Sequence, residues 1–235
     1  MFYLTSRLLS HFKGFCSSPE VILLFVYMKC RFSLSYRDLE EMMSIRGAKI
    51  DHSTLQRWVV RFVPLIDKQV RKRKKPAGSS WRMDETYIKI KGKWVYLYRA
   101  VDSLGNTVDF LLREHRDKAA AMAFFRKAFK ENCLPDKVVI DKSGSNIAAL
   151  ERLNEEIPKY YKIKVLQVKY LNNIAEQDHR FIKKRTKPML GFKSFNSAEI
   201  TITGIENIRI IQKGQIIGSN NKLSTFENFK MLMAA

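Results

Sequence analysis

Two hydrophobic periods divide this chain. Up to about residue 70, apolar positions recur every three or four residues, the spacing of helices that bury one face. Glu20 to Lys29 reads as an apolar helix. Ser35 can cap a second helix, with Asp38 at its third position and Leu39, Met42 and Met43 on one face. Gly47 is placed to end it. Asp51 or Ser53 can open a third helix, in which Leu55, Trp58, Val59 and Phe62 keep helical spacing. Pro64 is expected to break or kink that helix.

After residue 80 the period shortens to two. Ser80 to Ile90, Lys93 to Asp102 and Thr107 to Arg113 are rich in aromatic and β-branched residues and are separated by the short turns KGK and SLGN. They predict a three-stranded antiparallel meander. A helix over 118–129, a strand over 137–140, a helix over 145–156, a strand over 164–168 and a helix over 173–185 follow. The order βββαβαβα indicates an α/β fold, a mixed sheet with helices on its faces. A last helix over about 197–213 is closed by Gly214, and the tail after it carries little signal.

The segment RKRKKPAGSS separates the two patterns. The expected organisation is a helical region over 1–70, a basic linker over 71–80, an α/β core over 81–215 and a tail over 216–235. Two helices joined by a turn at Gly47 make a helix-turn-helix candidate, with Ser53, Gln56 and Arg57 at the front of its second helix. A generic three-helix bundle would show the same spacing.

Charge then narrows the partners. The chain carries 43 Lys and Arg against 23 Asp and Glu, a formal net charge of +20. Such a surface attracts phosphate, and binding to nucleic acid should depend steeply on salt. The three cysteines, Cys16, Cys30 and Cys133, have no metal-ligand spacing, which fits a reducing cytosol. The apolar run Val21 to Met28 is far too short to span a bilayer, so no membrane partner is expected.

Against that basic background, three acids stand in distinct contexts. Asp84 lies inside the first strand, Asp141 closes the apolar run KVVID, and Glu176 lies near the start of a helix. Strand ends in α/β sheets are where sites gather. Converging carboxylates could hold two Mg²⁺ or Mn²⁺ ions against a polyanion. Each acid also has an ordinary structural reading, as a surface ion pair, a turn residue or a capping-box partner of Asn173. Glu85, Asp102, Asp136 and Asp178 compete, and spacing does not choose among them. Arg180, Lys183, Lys184 and Arg185 form a basic stripe after Glu176, a phosphate-binding surface or a solvated helix face. Trp81, Tyr87, Trp94, Tyr96 and Tyr98 offer stacking surfaces or core packing.

The stretches SYRDLEEMM, DHSTLQRWV, MDETYIKIKGKWVYLYRAVDSLGNTVDF, VVIDKSGSN, YLNNIAEQDHRFIKKR and PMLGFKSF, followed by GIENIRIIQKGQ, occur in that order. In them the chain resembles bacterial insertion-sequence transposases of the DDE class, insertion sequence family six. The 34 residues between Asp141 and Glu176 match that group's spacing. The resemblance implies an RNase H-like catalytic core behind an all-α helix-turn-helix DNA-binding region. It makes Asp84, Asp141 and Glu176 catalytic metal ligands and Lys183 a holder of the element end. It further implies a cytoplasmic, nucleoid-associated enzyme that binds the inverted repeats of its own element as a dimer or higher oligomer. Water would nick the element end, and the resulting 3′-OH would attack target DNA. A metal-dependent nuclease on the same core, or a remnant that only binds DNA, remains an alternative at this point.

Overall fold

The computed structural model describes residues 4–141, 144–168 and 173–234. Part of DKSGSN and part of YLNNIAEQ therefore lie outside the described residues. The chain forms two compact units, Pro76–Thr186 and Met1–Lys75 together with Lys187–Ala235.

The second of these begins with the short helix α1 (Ser6–Leu9), followed by a 3-10 turn at Ser10–Phe12. Helices α2 (Pro19–Arg31), α3 (Tyr36–Ile45) and α4 (His52–Arg73) come next. Both expected caps of the helix-turn-helix form. The Ser35 hydroxyl accepts from the Asp38 amide at 3.0 Å, and the Asp38 carboxylate accepts from the Ser35 amide at 2.6 Å. At α4 the cap is Asp51, whose carboxylate accepts from the Ser53 amide at 2.8 Å. Gly47 takes the positive φ of +79° that turns the chain after α3.

Pro64 does not end α4, contrary to expectation. The helix runs on for nine residues, because Val63, Ile66 and Val70 continue the buried stripe of Leu55, Trp58, Val59 and Phe62. Proline deprives the carbonyl four residues back of its donor. That carbonyl belongs to Val60, which is 38% exposed, so water can replace the bond. A second correction follows. Arg71, Lys72 and Arg73 are not linker but the last turn of α4, where cations complement the helix dipole.

The other unit holds one five-stranded sheet. Strands β1 (Ser80–Ile90), β2 (Lys93–Asp102) and β3 (Thr107–Arg113) form the antiparallel meander at the expected positions. Lys91 and Gly92 make the tight turn between the first two, both at positive φ. Helix α5 (Lys118–Asn132) leads to β4 (Lys137–Ile140), α6 (Gly144–Glu155), β5 (Lys164–Gln167) and α7 (Asn173–Thr186). Strands β4 and β5 are parallel to β1, giving the order β3-β2-β1-β4-β5 with β1 central. That is the expected mixed sheet.

Period-2 alternation gives β1 two different faces. Trp81 and Met83 pack into a core with Tyr98, Phe124, Phe125 and Leu150 from the sheet, α5 and α6. The other face, with Thr86 and Ile88 buried, meets α7.

Past α7, the helix α8 (Phe195–Gln212) packs against α2 and α4 in the helical unit. Gly204 permits this approach, since a Cβ there would run into the Cys30 Sγ. The tail with little sequence signal folds as α9 (Thr225–Ala234), which buries Phe229, Leu232 and Met233 in the same core. Its apolar positions follow a polar loop and were too few to read as a helix.

Candidate active site

Parallel pairing places the acids. Arg82 of β1 is level with Val139 of β4, so two places further along, Asp84 comes level with Asp141 just past the end of that strand. Neighbouring strands lie about 4.8 Å apart. One oxygen each from Asp84, Asp141 and Glu85 indeed lies within 4.8 Å of the others. Asp84 points to the α7 face, where its Oδ2 is 3.8 Å from His179 Nδ1. Glu85 points to the α5/α6 face and is nearly sealed, with its side chain 4% exposed. There it accepts from Asn146 Nδ2 at 3.0 Å and from Arg116 Nε at 3.2 Å. The same guanidinium reaches Asp141 at 3.6 Å.

Glu176 occupies the first turn of α7, exposed, where the positive end of the helix dipole favours an acid. It is outside the 4.8 Å group but acts on Asp84 through space. Burial, with the negative charges of Glu85, Asp141 and Glu176, pushes the Asp84 carboxyl up to about 7, against a bond from the Glu85 amide that favours the anion. Burial likewise raises Glu85, offset by Arg116 and Asn146. Arg116 itself, despite partial burial, is held charged by Glu85 and Asp141. The cluster therefore carries more negative charge than its one arginine neutralises. A divalent cation fits such a donor set of hard carboxylate oxygens.

The rival acids fall into structural roles. Asp102 accepts from the amides of Gly78, Leu104 and Asn106 and ties the turn after β2. Asp136 accepts from the Ser79 hydroxyl. Asp178 on α7 pairs with Arg99 of β2 at 2.7 Å, a buried bridge that fastens the Glu176 helix to the sheet. Only Glu85 joins the cluster. Sequence reasoning set it aside as a competitor, although two consecutive acids in a strand necessarily address both faces of the sheet. Arg116 and Asn146 carried no sequence signal.

His179 is buried, and burial first, then Arg99 and Lys183, pushes its imidazole down to about 3. It is neutral at physiological pH, and its Nε2 has no hydrogen-bond partner among the described residues. Arg180, Lys183 and Lys184 are exposed on α7. Arg185 differs: it is buried, with its guanidinium 3.4 Å from the Phe181 ring centre and bonded to the Phe181 carbonyl. Ser53, Gln56 and Arg57 are all exposed on α4. Among the described residues no helix is long and apolar enough to cross a membrane.

The chain thus presents a five-stranded mixed sheet with a carboxylate cluster beside its central strand. A family profile described as a DDE domain matches residues 78–215. The transposase for the insertion sequence-like element IS431mec of Staphylococcus aureus is 42% identical over 199 residues, covering 83% of this chain and 86% of that protein. The transposase for the insertion sequence element IS257 in transposon Tn4003, also from Staphylococcus aureus, matches with the same identity and coverage. The chain belongs to the DDE transposases of insertion sequence family six. Among solved structures, the dimeric form of the HTLV-2 integrase catalytic core domain in complex with magnesium is 16% identical, with a TM-score of 0.46. It covers 63% of this chain and 100% of that one. The BIV integrase catalytic core is 15% identical over 65% of this chain and 94% of that one, with a TM-score of 0.44.

Proposed function

We propose that this transposase cuts the DNA at the ends of its own mobile element and joins the freed 3′ ends to target DNA. The observation that carries the reading is the buried carboxylate cluster beside β1, with Asp84 pushed up to about 7 by burial and by its acidic neighbours. Asp84, Asp141 and Glu176 would hold two Mg²⁺ or Mn²⁺ ions, with Glu85 supporting them from the opposite face. Bound there, divalent ions supply Lewis acidity to the scissile phosphate and charge stabilisation to the entering and leaving oxygens.

The chain's own groups do the rest. Arg116 holds Glu85 and Asp141 in place. His179, kept neutral by burial, packs beside Asp84 without adding a cation. The Arg99–Asp178 bridge fixes α7, so that Glu176 and Lys183 face the same way two helical turns apart. Arg180, Lys183 and Lys184 bind backbone phosphates near the cut. Arg185, enclosed against Phe181, supports the helix instead. Strand transfer is then an in-line displacement: the 3′ oxygen bonds to phosphorus as the opposite P–O bond breaks, and positioning is the main catalytic demand.

The region over 1–70 recognises the element's inverted repeats through Ser53, Gln56 and Arg57, and the Pro76–Thr186 unit within the expected core over 81–215 carries the chemistry. The segment over 71–80 links them, and the residues over 216–235 brace the helical region. Two ends must be held together, so the working form is a dimer or larger, in the bacterial cytoplasm on nucleoid DNA. The test supplies a pre-cut inverted-repeat end and a target plasmid. Wild-type protein joins them in Mg²⁺, whereas Asp84→Asn and Glu176→Gln bind the end and do not join it. Cleavage without joining makes the protein a nuclease, and binding with neither makes it a remnant.

A further inference from the structure

The aromatic residues of the meander separate into two groups that sequence could not distinguish. Trp81 and Tyr98 are core, 1% and 0% exposed, packed against Phe129 and Phe124 of α5. Tyr87 and Trp94 are 49% and 61% exposed, with Tyr96 half-buried between strand and solvent. These three rings lie together on one face of the β1–β2 hairpin, with Tyr96 also packed against the core. The Tyr87 and Tyr96 ring centres are 5.4 Å apart, and those of Tyr87 and Trp94 are 6.4 Å apart. Lys89 sits 5.9 Å over the Trp94 ring. Exposed Arg113 of β3 is level with Tyr96.

We propose that Tyr87, Trp94 and Tyr96 form a stacking platform for unpaired bases of the DNA strand leading into the carboxylate site, with Lys89 and Arg113 on its phosphates. Exposed rings gain by stacking on any base face, and a base offers a free face only where the duplex is open or ends. The surrounding charge selects DNA over a protein partner. Residues 86–101 contain no Asp or Glu, while Lys89, Lys91 and Lys93 surround the rings. Protein interfaces are depleted in lysine, so this composition argues against a second copy of the chain.

Position ties the platform to the site. Tyr87 shares a strand face with Glu85, two residues earlier, and Arg116 bridges Glu85 and Asp141. Three residues of strand separate Tyr87 from Asp84, about 10 Å. A DNA strand covers that span in about three nucleotides. Because Tyr87 lies on the Glu85 face and Asp84 on the other, the platform meets the strand at least about three nucleotides from the cut. Its placement on that strand rests on the strand-transfer reading above.

Trp94 reports on its own ligand, because Trp58 and Trp81 are 3% and 1% exposed. The experiment compares a blunt duplex with the same duplex carrying an overhang of about three unpaired nucleotides, without divalent metal so that no cleavage occurs. Wild-type protein binds the overhang more tightly and its tryptophan emission is quenched. Trp94→Ala and Tyr87→Ala lose that preference by about tenfold, with blunt-duplex affinity and thermal melting unchanged, and Trp94→Phe retains most of it. Equal overhang preference in wild type and both alanine variants overturns the platform. So does Trp94 quenching that follows protein concentration and not DNA, which marks an interface between copies. Joining activity without overhang preference refutes the platform alone, and overhang preference without joining refutes the transposition reading alone.

Discussion

Among the described residues two places gather three potential ligand groups within 4.8 Å, and they differ in what surrounds them. Between α3 and α4, His52 Nδ1 is 2.9 Å from Glu40 and 3.4 Å from Asp51. All three side chains are between 37% and 55% exposed, and Asp51 already caps α4. Water and internal hydrogen bonds satisfy that group, which serves to clasp α3 to α4. In the sheet, the Glu85 and Asp84 side chains are 4% and 20% exposed while Asp141 opens to water at 40%, and one arginine meets Glu85 and Asp141. Proximity of ligand types is common to both. Burial of charge in excess of its counter-charge belongs to the second alone, and it is what calls for a cation.

The sharpest way to break the comparison is activity. Asp84→Asn lowers joining on the order of a thousandfold, the scale of losing one preorganised charge-stabilising group. Glu40→Gln leaves joining at the wild-type rate in the same gel assay. Equal losses from the two would remove the distinction. Stability separates the regions next. Arg99→Ala strands Asp178 in the interior and costs about 3–5 kcal/mol in urea unfolding, whereas His52→Ala in the exposed group shifts the urea midpoint little.

Metal binding sharpens the contrast directly. Mn²⁺ titration followed by electron paramagnetic resonance should show a site lost in Asp141→Asn and weakened about tenfold in Glu85→Gln, with Glu40→Gln unchanged.

A smaller effect is read in the metal-free melting temperature against pH. Folded Asp84 keeps its proton up to about 7, while the unfolded chain releases it near the ordinary carboxylate value. Its stabilising contribution is thus complete below about pH 4, and it is lost as pH rises through about 7. Asp84→Asn should remove that slope relative to wild type; identical slopes would mean that the acid is not strained. Least of all, Asp51→Ala should lower the melting temperature slightly at every pH above the carboxylate range, through the lost cap of α4.

Local chemistry made most elements readable. The caps at Ser35 and Asp51, the turn at Gly47 and all three strands of the meander follow from near neighbours in sequence, which is how capping and alternation act. Pro64 and α9 escaped for one reason, that burial against distant residues overrode weak or adverse local preference. The α8 helix shows the same limit. The family profile runs to residue 215, yet α8 packs with α2 and α4, a partnership set by the close approach at Gly204.

The site divides in the same way. The family resemblance carried by the ordered motifs singled out Asp84, Asp141 and Glu176 as candidates, because residue type and order are properties of the chain. The parallel register of β1 and β4, the entry of Glu85 into the cluster, and the sealing of Asp178 with Arg99 depend on which strands and helices meet. Exposure does as well: Tyr87 and Trp94 face water while Trp81 and Tyr98 are enclosed, although all four share the strand period. Charge and periodicity travel with the sequence, but desolvation exists only once the chain has folded around a group. That desolvation distinguishes the buried acids of the sheet from the equally close acids of the helical turn.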